Sequence, residues 1–178
     1  KANGHYTVVQ DDSADLAVLC QQHPDTYALI VRSEPVTAEI IDRLRHESSH
    51  CQWLLLTGGE PALQVDRELI DGLHAAGFKL AIETNGTVEL PPGIDWITVS
   101  PKVAESDLRQ RHANEVKYVR SYGQPIPETI VTADHKLISP AFNQNHLDAK
   151  TLDWCIQLVR ENPEWRLSVQ QHKFWGIR

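Results

Sequence analysis

Apolar positions along this chain fall into short runs, and each run stops at a cluster of polar or small residues. Trp53-Leu54-Leu55-Leu56-Thr57 is the most compact of them, and its three leucines suit a strand covered on both faces of a parallel sheet. Phe78–Ile82, Trp96–Val99, Glu115–Val119, Lys136–Ile138 and Trp165–Val169 read as further strands, with Tyr27–Val31 as an earlier one. Helical spacing occupies several of the gaps. Thr37 can cap a helix whose Ile40, Ile41 and Leu44 form one stripe ending near Ser48. Asp66 can cap a second, with Leu69, Ile70, Leu73 and Ala76 in register and Gly77 as its left-handed stop. Asp148 can cap a third, lined by Leu152, Cys155, Ile156 and Val159 and closed by Asn162-Pro163. Residues 104–112 also read as helical, and Asp15–Gln22 carries Leu16, Leu19 and Cys20 along one side of a further helix. Pro91-Pro92-Gly93 makes a rigid turn, and Ser121–Ala133, with Gly123, Pro125 and Pro127, reads as a loop.

Strands alternating with helical patterns imply an α/β fold with a parallel sheet, and right-handed crossovers bring the carboxyl ends of the strands to one rim. No Gly-x-Gly-x-x-Gly turn is present, so the pattern favours a partial (β/α) TIM-like barrel over a flat doubly wound sheet. Five strand ends supply that rim with Thr57, Gly58, Gly59, Glu60, Glu83, Asn85, Ser100, Lys102, Ser139, Gln171, His172 and Lys173. Gly58 and Gly59 remove two side chains where a ligand can approach the main chain, and Glu60 sets a carboxylate beside them. Such a rim suits a small ligand with amino, carboxylate and hydroxyl groups. It holds no nucleophile with an adjacent base: Ser100 is followed by Pro101 and Lys102, with no histidine beside it in the chain.

Composition narrows the reading further. At 178 residues the chain is long enough for one well-buried domain, and a net charge of -7 argues against a general nucleic-acid surface. No apolar run approaches a membrane span and the first residues carry no signal-peptide pattern, which fits a cytoplasmic protein. The 3 cysteines, Cys20, Cys51 and Cys155, are too far apart for a disulfide framework or a clustered metal site and read as free thiols. His46, His50 and Cys51 have metal-compatible spacing, but solvated residues ahead of a buried strand explain them more simply. Glu105, Asp107, Arg109 and Arg111 read as a charged, solvated face. A chain of this length with no methionine that begins at Lys1 is unusual.

Four ordered motifs carry a family resemblance: Thr57-Gly-Gly-Glu-Pro61, Ile82-Glu-Thr-Asn-Gly-Thr87, Asp95-Trp-Ile-Thr-Val-Ser-Pro-Lys102, and Trp165-Arg-Leu-Ser-Val-Gln170 followed by His172-Lys173. Over roughly residues 36 to 178 the chain resembles the 7-carboxy-7-deazaguanine synthases, which are radical S-adenosylmethionine enzymes. The resemblance implies a single partial-barrel domain of the radical S-adenosylmethionine type over residues 1–178 and a homodimer. The implied reaction converts 6-carboxy-5,6,7,8-tetrahydropterin to 7-carboxy-7-deazaguanine on the route to queuosine and related deazapurines. It further implies S-adenosylmethionine, a [4Fe-4S] cluster and Mg2+. Carried over by position, Gly58, Gly59 and Glu60 hold the methionine amino group, Glu83, Asn85 and Ser100 contact the cofactor, and Lys102 and Ser139 lie at it. Thr57, Gln171, His172 and Arg178 face the pterin.

The sequence departs from that family in several places. Its cluster motif, of the form Cys-x-x-x-Cys-x-x-Cys, and the threonine after it that ligates magnesium have no counterpart between Lys1 and Arg178. Ser139 stands where many members have glutamine, and Gln171 where threonine commonly precedes the histidine. The expectation is therefore a chain whose cluster-binding segment lies ahead of Lys1 and which is inactive by itself. The alternatives are a cluster-free variant acting as a binding module, and a different radical enzyme such as a glycyl-radical activase.

Overall fold

The computed structural model describes residues 28–32, 38–47, 52–143 and 146–170. The helix expected at Asp15–Gln22, the Thr37 cap, and Cys20, His50, Cys51, Gln171, His172, Lys173 and Arg178 lie outside the described residues. The element order is β1 (Ala28–Arg32), α1 (Ala38–Glu47), β2 (Trp53–Thr57), α2 (Arg67–Ala75), β3 (Lys79–Thr84), β4 (Trp96–Val99), β5 (His112–Arg120), β6 (Thr132–Pro140), α3 (Ala149–Glu161) and β7 (Trp165–Leu167), with short 3-10 turns at Pro61–Leu63 and Glu105–Asp107. The strands form one 7-stranded sheet in sequential order, and every neighbouring pair is parallel. Sequential order winds the chain in one direction across the sheet, as in a barrel, whereas a doubly wound sheet reverses at a switch point.

The helices begin where the polar caps dictate. The Asp66 carboxylate accepts from Leu69 N at 2.8 Å and the Asp148 carboxylate from Thr151 N at 3.0 Å, each satisfying one of the free amides of a first turn. Gly77, with φ 85°, follows α2 and turns the chain into β3. One face of the sheet is packed dry. Leu54 and Leu56 of β2, Leu80 and Ile82 of β3 join Ile41 of α1 and Ile70 and Leu73 of α2 in one cluster. Val99, Val116, Tyr118, Ile138 and Trp165 join Cys155 and Leu158 of α3 in a second. Fully burying each such side chain contributes roughly 1.5–3 kcal/mol, so this face supplies most of the driving force for folding.

Three crossovers, 85–95, 100–111 and 121–131, run without an α-helix. Each sets a buried apolar side chain where a helix would otherwise lie: Leu90, Leu108 and Val131. Gln110 ties two of these loops together, accepting from Leu90 N at 2.9 Å and donating to His112 O at 2.6 Å. The helix expected over 104–112 is thus corrected to a single 3-10 turn. Arg109 N and Gln110 N both donate to Gly86 O, which draws the chain away from a helical path and straight into β5.

Strand limits differ from the sequence reading at three strands. β5 begins at His112 rather than Glu115 and β6 at Thr132 rather than Lys136, so Thr132 and Ala133 belong to a strand and not to the loop. Polar residues extend both strands because the ladder between them runs from His112↔Thr132 to Arg120↔Pro140. β7 ends at Leu167 and not at Val169. In α3 the buried residues are Thr151, Cys155 and Leu158, one position away from the expected Leu152, Ile156 and Val159, which are half-buried. The face of β2 opposite Leu54 and Leu56 is likewise only half-covered, correcting the expectation of a strand buried on both sides.

Candidate functional site

Side chains alternate across a strand, so the residues between the core positions share the opposite face of the sheet. Trp53, Leu55 and Thr57 of β2, Ala81 and Glu83 of β3, Trp96 and Thr98 of β4, Glu115 and Lys117 of β5, and His135 of β6 occupy it. Ladder registers of Leu55↔Ala81, Ala81↔Trp96, Glu83↔Thr98, Thr98↔Glu115 and Glu115↔His135 connect them. Nearest the strands' amino ends this face is aromatic: Lys79 sits 5.5 Å from the Trp53 ring, and His135 stacks on Trp96 at 5.9 Å between centroids. Further along it is charged. Lys117 Nζ donates to Glu83 Oε1, and Thr98 Oγ1 donates to Glu115 Oε2 at 2.9 Å.

At the carboxyl ends the chain breaks out of the sheet at Gly58 and Gly59, with φ of 82° and 54°. Both angles lie in the left-handed region, which side chains other than glycine enter at a cost, so the pair fixes the turn and leaves the main chain open. Glu60 then folds back over the neighbouring strand end. Its Oε1 accepts from Thr84 Oγ1 at 2.5 Å and from Ala62 N at 3.2 Å, and its Oε2 accepts from Asn85 N at 2.7 Å. The Thr84 hydroxyl in turn accepts from Gly86 N at 3.1 Å, and Thr84 O accepts from Ser100 N at 2.7 Å. Three strand ends are stitched into one rim through these contacts.

The same bonds define what remains for a ligand. A carboxylate has about four lone-pair positions, and Glu60 spends three of them on its own chain, leaving one on Oε2 for an external cation or donor. Asn85 spends its Oδ1 on Thr87, accepting from N at 2.8 Å and from Oγ1 at 2.6 Å, so its amide NH2 is the group left to donate. Ser100 is buried beneath the rim, Lys102 is exposed on the loop beyond it, and Ser139 is buried at the end of β6. The structure thus joins Glu60, Thr84, Asn85 and Ser100 directly, sets Glu83 lower on the same side of the sheet as Thr57, and leaves Lys102 without a hydrogen-bond partner among the described residues.

Other charged groups have structural duties. Glu105 is not solvated as expected: its Oε1 accepts from Tyr118 Oη at 2.5 Å and its Oε2 from Ile130 N at 3.0 Å, while Thr129 Oγ1 lies 2.7 Å from the same Tyr118 oxygen. Burial, reinforced by the Glu105 carboxylate, pushes the Tyr118 phenol well above its ordinary value. Asp95 takes Leu80 N at 2.8 Å and pairs with His74 at 3.0 Å; burial opposes ionisation there, but these bonds hold its carboxyl below the usual range. Burial raises the Cys155 thiol, and its Sγ lies 3.7 Å from Arg120 O, so it is the inert thiol that composition indicated. No group of three metal-ligating side chains occurs among the described residues.

Sequence reasoning missed Thr84, Glu115 and Lys117. A signal existed for the last two: charges at 115 and 117 alternate with Val116 and Tyr118, which is the mark of a strand with one charged face inside a parallel sheet.

A singly wound parallel α/β sheet with a polar rim at the carboxyl ends and a charged face opposite the helices is the arrangement on which barrel folds place their ligand sites. No protein-family model matches the chain. Curated relatives do. The 7-carboxy-7-deazaguanine synthase of Bradyrhizobium diazoefficiens is 44% identical over 137 residues, covering 74% of this chain and 62% of the relative. That of Haemophilus influenzae is 32% identical over 152 residues, covering 79% of this chain and 71% of the relative, and that of Neisseria meningitidis is 30% identical over 154 residues with the same coverage, 79% and 71%. The chain belongs to the 7-carboxy-7-deazaguanine synthase family. It spans about three fifths of the length of several of these relatives, 62% of the Bradyrhizobium protein and 60% of the Bordetella pertussis one. The crystal structure of QueE from Escherichia coli shares the fold, with a TM-score of 0.54 at 24% identity over 76% of this chain and 64% of that one.

Proposed function

We propose that the protein is a radical S-adenosylmethionine enzyme, a carbon–nitrogen lyase that converts 6-carboxy-5,6,7,8-tetrahydropterin to 7-carboxy-7-deazaguanine in deazapurine biosynthesis. The observation that carries this reading is the Glu60 carboxylate, held by Thr84, Ala62 and Asn85 with one lone pair unspent beside the open main chain of Gly58-Gly59. An α-amino acid ammonium fits that position, because a fixed carboxylate lone pair and exposed backbone groups accept its protons without further rearrangement.

The described residues fit S-adenosylmethionine and offer no ligand set for the cluster or Mg2+. For the cofactor, Gly58, Gly59 and Glu60 hold the amino group, the Asn85 amide and Ser100 hydroxyl donate to its oxygens, Glu83 accepts from its adenosyl half, and Lys102 and Ser139 complete the surround. When bound, S-adenosylmethionine supplies the radical that starts the reaction. The chain's own task is to orient the two molecules and exclude water over the half-buried face below the rim. Thr57, on that face at the end of β2, meets the pterin together with Gln171, His172 and Arg178. For the metal groups, Cys155 is the sole cysteine among the described residues, and it is packed in the core; no step is assigned through iron or magnesium. The reading further takes the chain as a single partial-barrel domain of a cytoplasmic homodimer.

The test is anaerobic iron–sulfur reconstitution of the whole protein followed by turnover with carboxytetrahydropterin and S-adenosylmethionine. Formation of 7-carboxy-7-deazaguanine is expected. A reconstituted cluster without that product would point to a different radical enzyme, and ligand binding without any cluster to a binding module.

A further inference from the structure

Lys117 is the residue whose placement the site described so far leaves unexplained. It sits on β5, two strands from Glu83, yet its ammonium crosses β4 on the side opposite the helices to reach the Glu83 Oε1. The two side chains are 19% and 35% exposed, so neither charge is well hydrated. A half-buried ammonium without a partner is costly, and a half-buried carboxylate without one turns toward water. The pair therefore decides where the Glu83 carboxylate points. Thr98, the residue level with Glu83 on β4, donates to Glu115 rather than to Glu83, so β4 does not compete for the position.

Glu83 Oε1 is taken, while its Oε2 has no hydrogen-bond partner among the described residues and remains open to a donor. An ionised carboxylate is acceptor-only, so it can serve S-adenosylmethionine only through that cofactor's donors. Glu60 is already matched to the ammonium, which leaves the hydroxyl and amino donors of the adenosyl half for Glu83. We propose that Lys117 is the positioning residue for Glu83, anchoring one carboxylate oxygen from across β4 so that the other is presented, charged and in a fixed direction, to the adenosyl group. This rests on the reading that Glu83 contacts S-adenosylmethionine. Lys117 acts through Glu83, and its loss is felt as lost binding of adenosyl ligands and not of the pterin.

The experiment is calorimetric titration of the reconstituted whole protein with S-adenosylhomocysteine, and separately with carboxytetrahydropterin, for wild type, Lys117→Met, Lys117→Arg, Glu83→Gln and the double variant Lys117→Met with Glu83→Gln. Lys117→Met is expected to weaken S-adenosylhomocysteine about tenfold. Lys117→Arg is expected to recover most of that, and pterin affinity to stay within about twofold of wild type. The double variant is expected to bind no worse than Glu83→Gln alone, because an anchor without its carboxylate has nothing to position. Lys117→Gln serves should Lys117→Met not fold. The proposal is overturned if Glu83→Gln weakens binding while Lys117→Met does not, or if the two losses add in the double variant. A Glu83→Gln protein that binds as wild type does overturns the underlying assignment of Glu83 as well, so the two failures are distinguishable.

Discussion

The two faces of the same strands solve opposite problems. On the helix side, Leu54, Leu56, Leu80, Ile82, Val116 and Ile138 are buried among other apolar side chains. On the opposite side, one residue away along each strand, stand Thr57, Glu83, Thr98, Glu115 and Lys117, half-covered for the most part, with Lys117 bonded to Glu83 and Thr98 to Glu115. Stability is concentrated on the first face and, in the proposed reading, recognition on the second, and a strand assigns its residues to one or the other by parity alone. Neighbouring residues in sequence can therefore have unrelated mutational behaviour, and residues far apart can share it.

The largest expected effect comes from breaking the dry face. Leu80→Ala opens a cavity in the first core cluster and is expected to lower stability by about 3 kcal/mol in urea unfolding, while affinity for S-adenosylhomocysteine stays near wild type once the protein is folded. Thr84→Val is the informative exception, since Thr84 is buried yet its hydroxyl holds Glu60. Losing that bond to a charged group is expected to cost about 2 kcal/mol and to weaken cofactor binding too; Thr84→Ser is expected to restore both. Tyr118→Phe removes one bond to Glu105 and is expected to cost about 1 kcal/mol at neutral pH. Its clearer signature is at high pH. Because folding raises the Tyr118 phenol above 10.0, the stability it lends is complete below pH 10 and drains away as pH climbs beyond that value, a loss the phenylalanine variant is expected to lack in alkaline unfolding.

The smallest effect belongs to Asp95, whose side chain is more than a third exposed. Its carboxyl is lowered in the folded state from an ordinary 3.8, so its contribution is present above that pH and is lost as pH falls toward the lowered value. Asp95→Asn is expected to flatten that part of the acid-unfolding curve and, because the carboxylate's bonds to Leu80 N and His74 are already in force at pH 7, to bring a slight loss of stability there.

The dry face was legible because its physics is local: caps at Asp66 and Asp148, the run Leu54-Leu55-Leu56, and the helical stripe Ile70–Leu73 announce themselves within a few residues. The rim was legible as well, since Gly58-Gly59-Glu60 and Glu83-Thr84-Asn85 end apolar runs abruptly. What could not be read was how rim groups are used. That Glu60 is fastened by Thr84 and Asn85, at the end of the next strand and just beyond it, depends on register, as does the reach of Lys117 across β4. The failed helix at 104–112 has the same origin, because the competitor that straightens it, Gly86 O, comes from a different loop. Local periodicity carries no information about partners that only the sheet brings together.

The central claim, that parity along a strand separates folding from recognition, is tested most directly at the adjacent pair Ile82 and Glu83. S-Adenosylhomocysteine affinity is measured for Ile82→Ala and Glu83→Gln in the reconstituted protein, at a temperature where both are folded. The account predicts a loss of about tenfold for Glu83→Gln and less than about threefold for Ile82→Ala. Equal losses in the two variants, or a Glu83→Gln protein that binds as tightly as wild type, would contradict it.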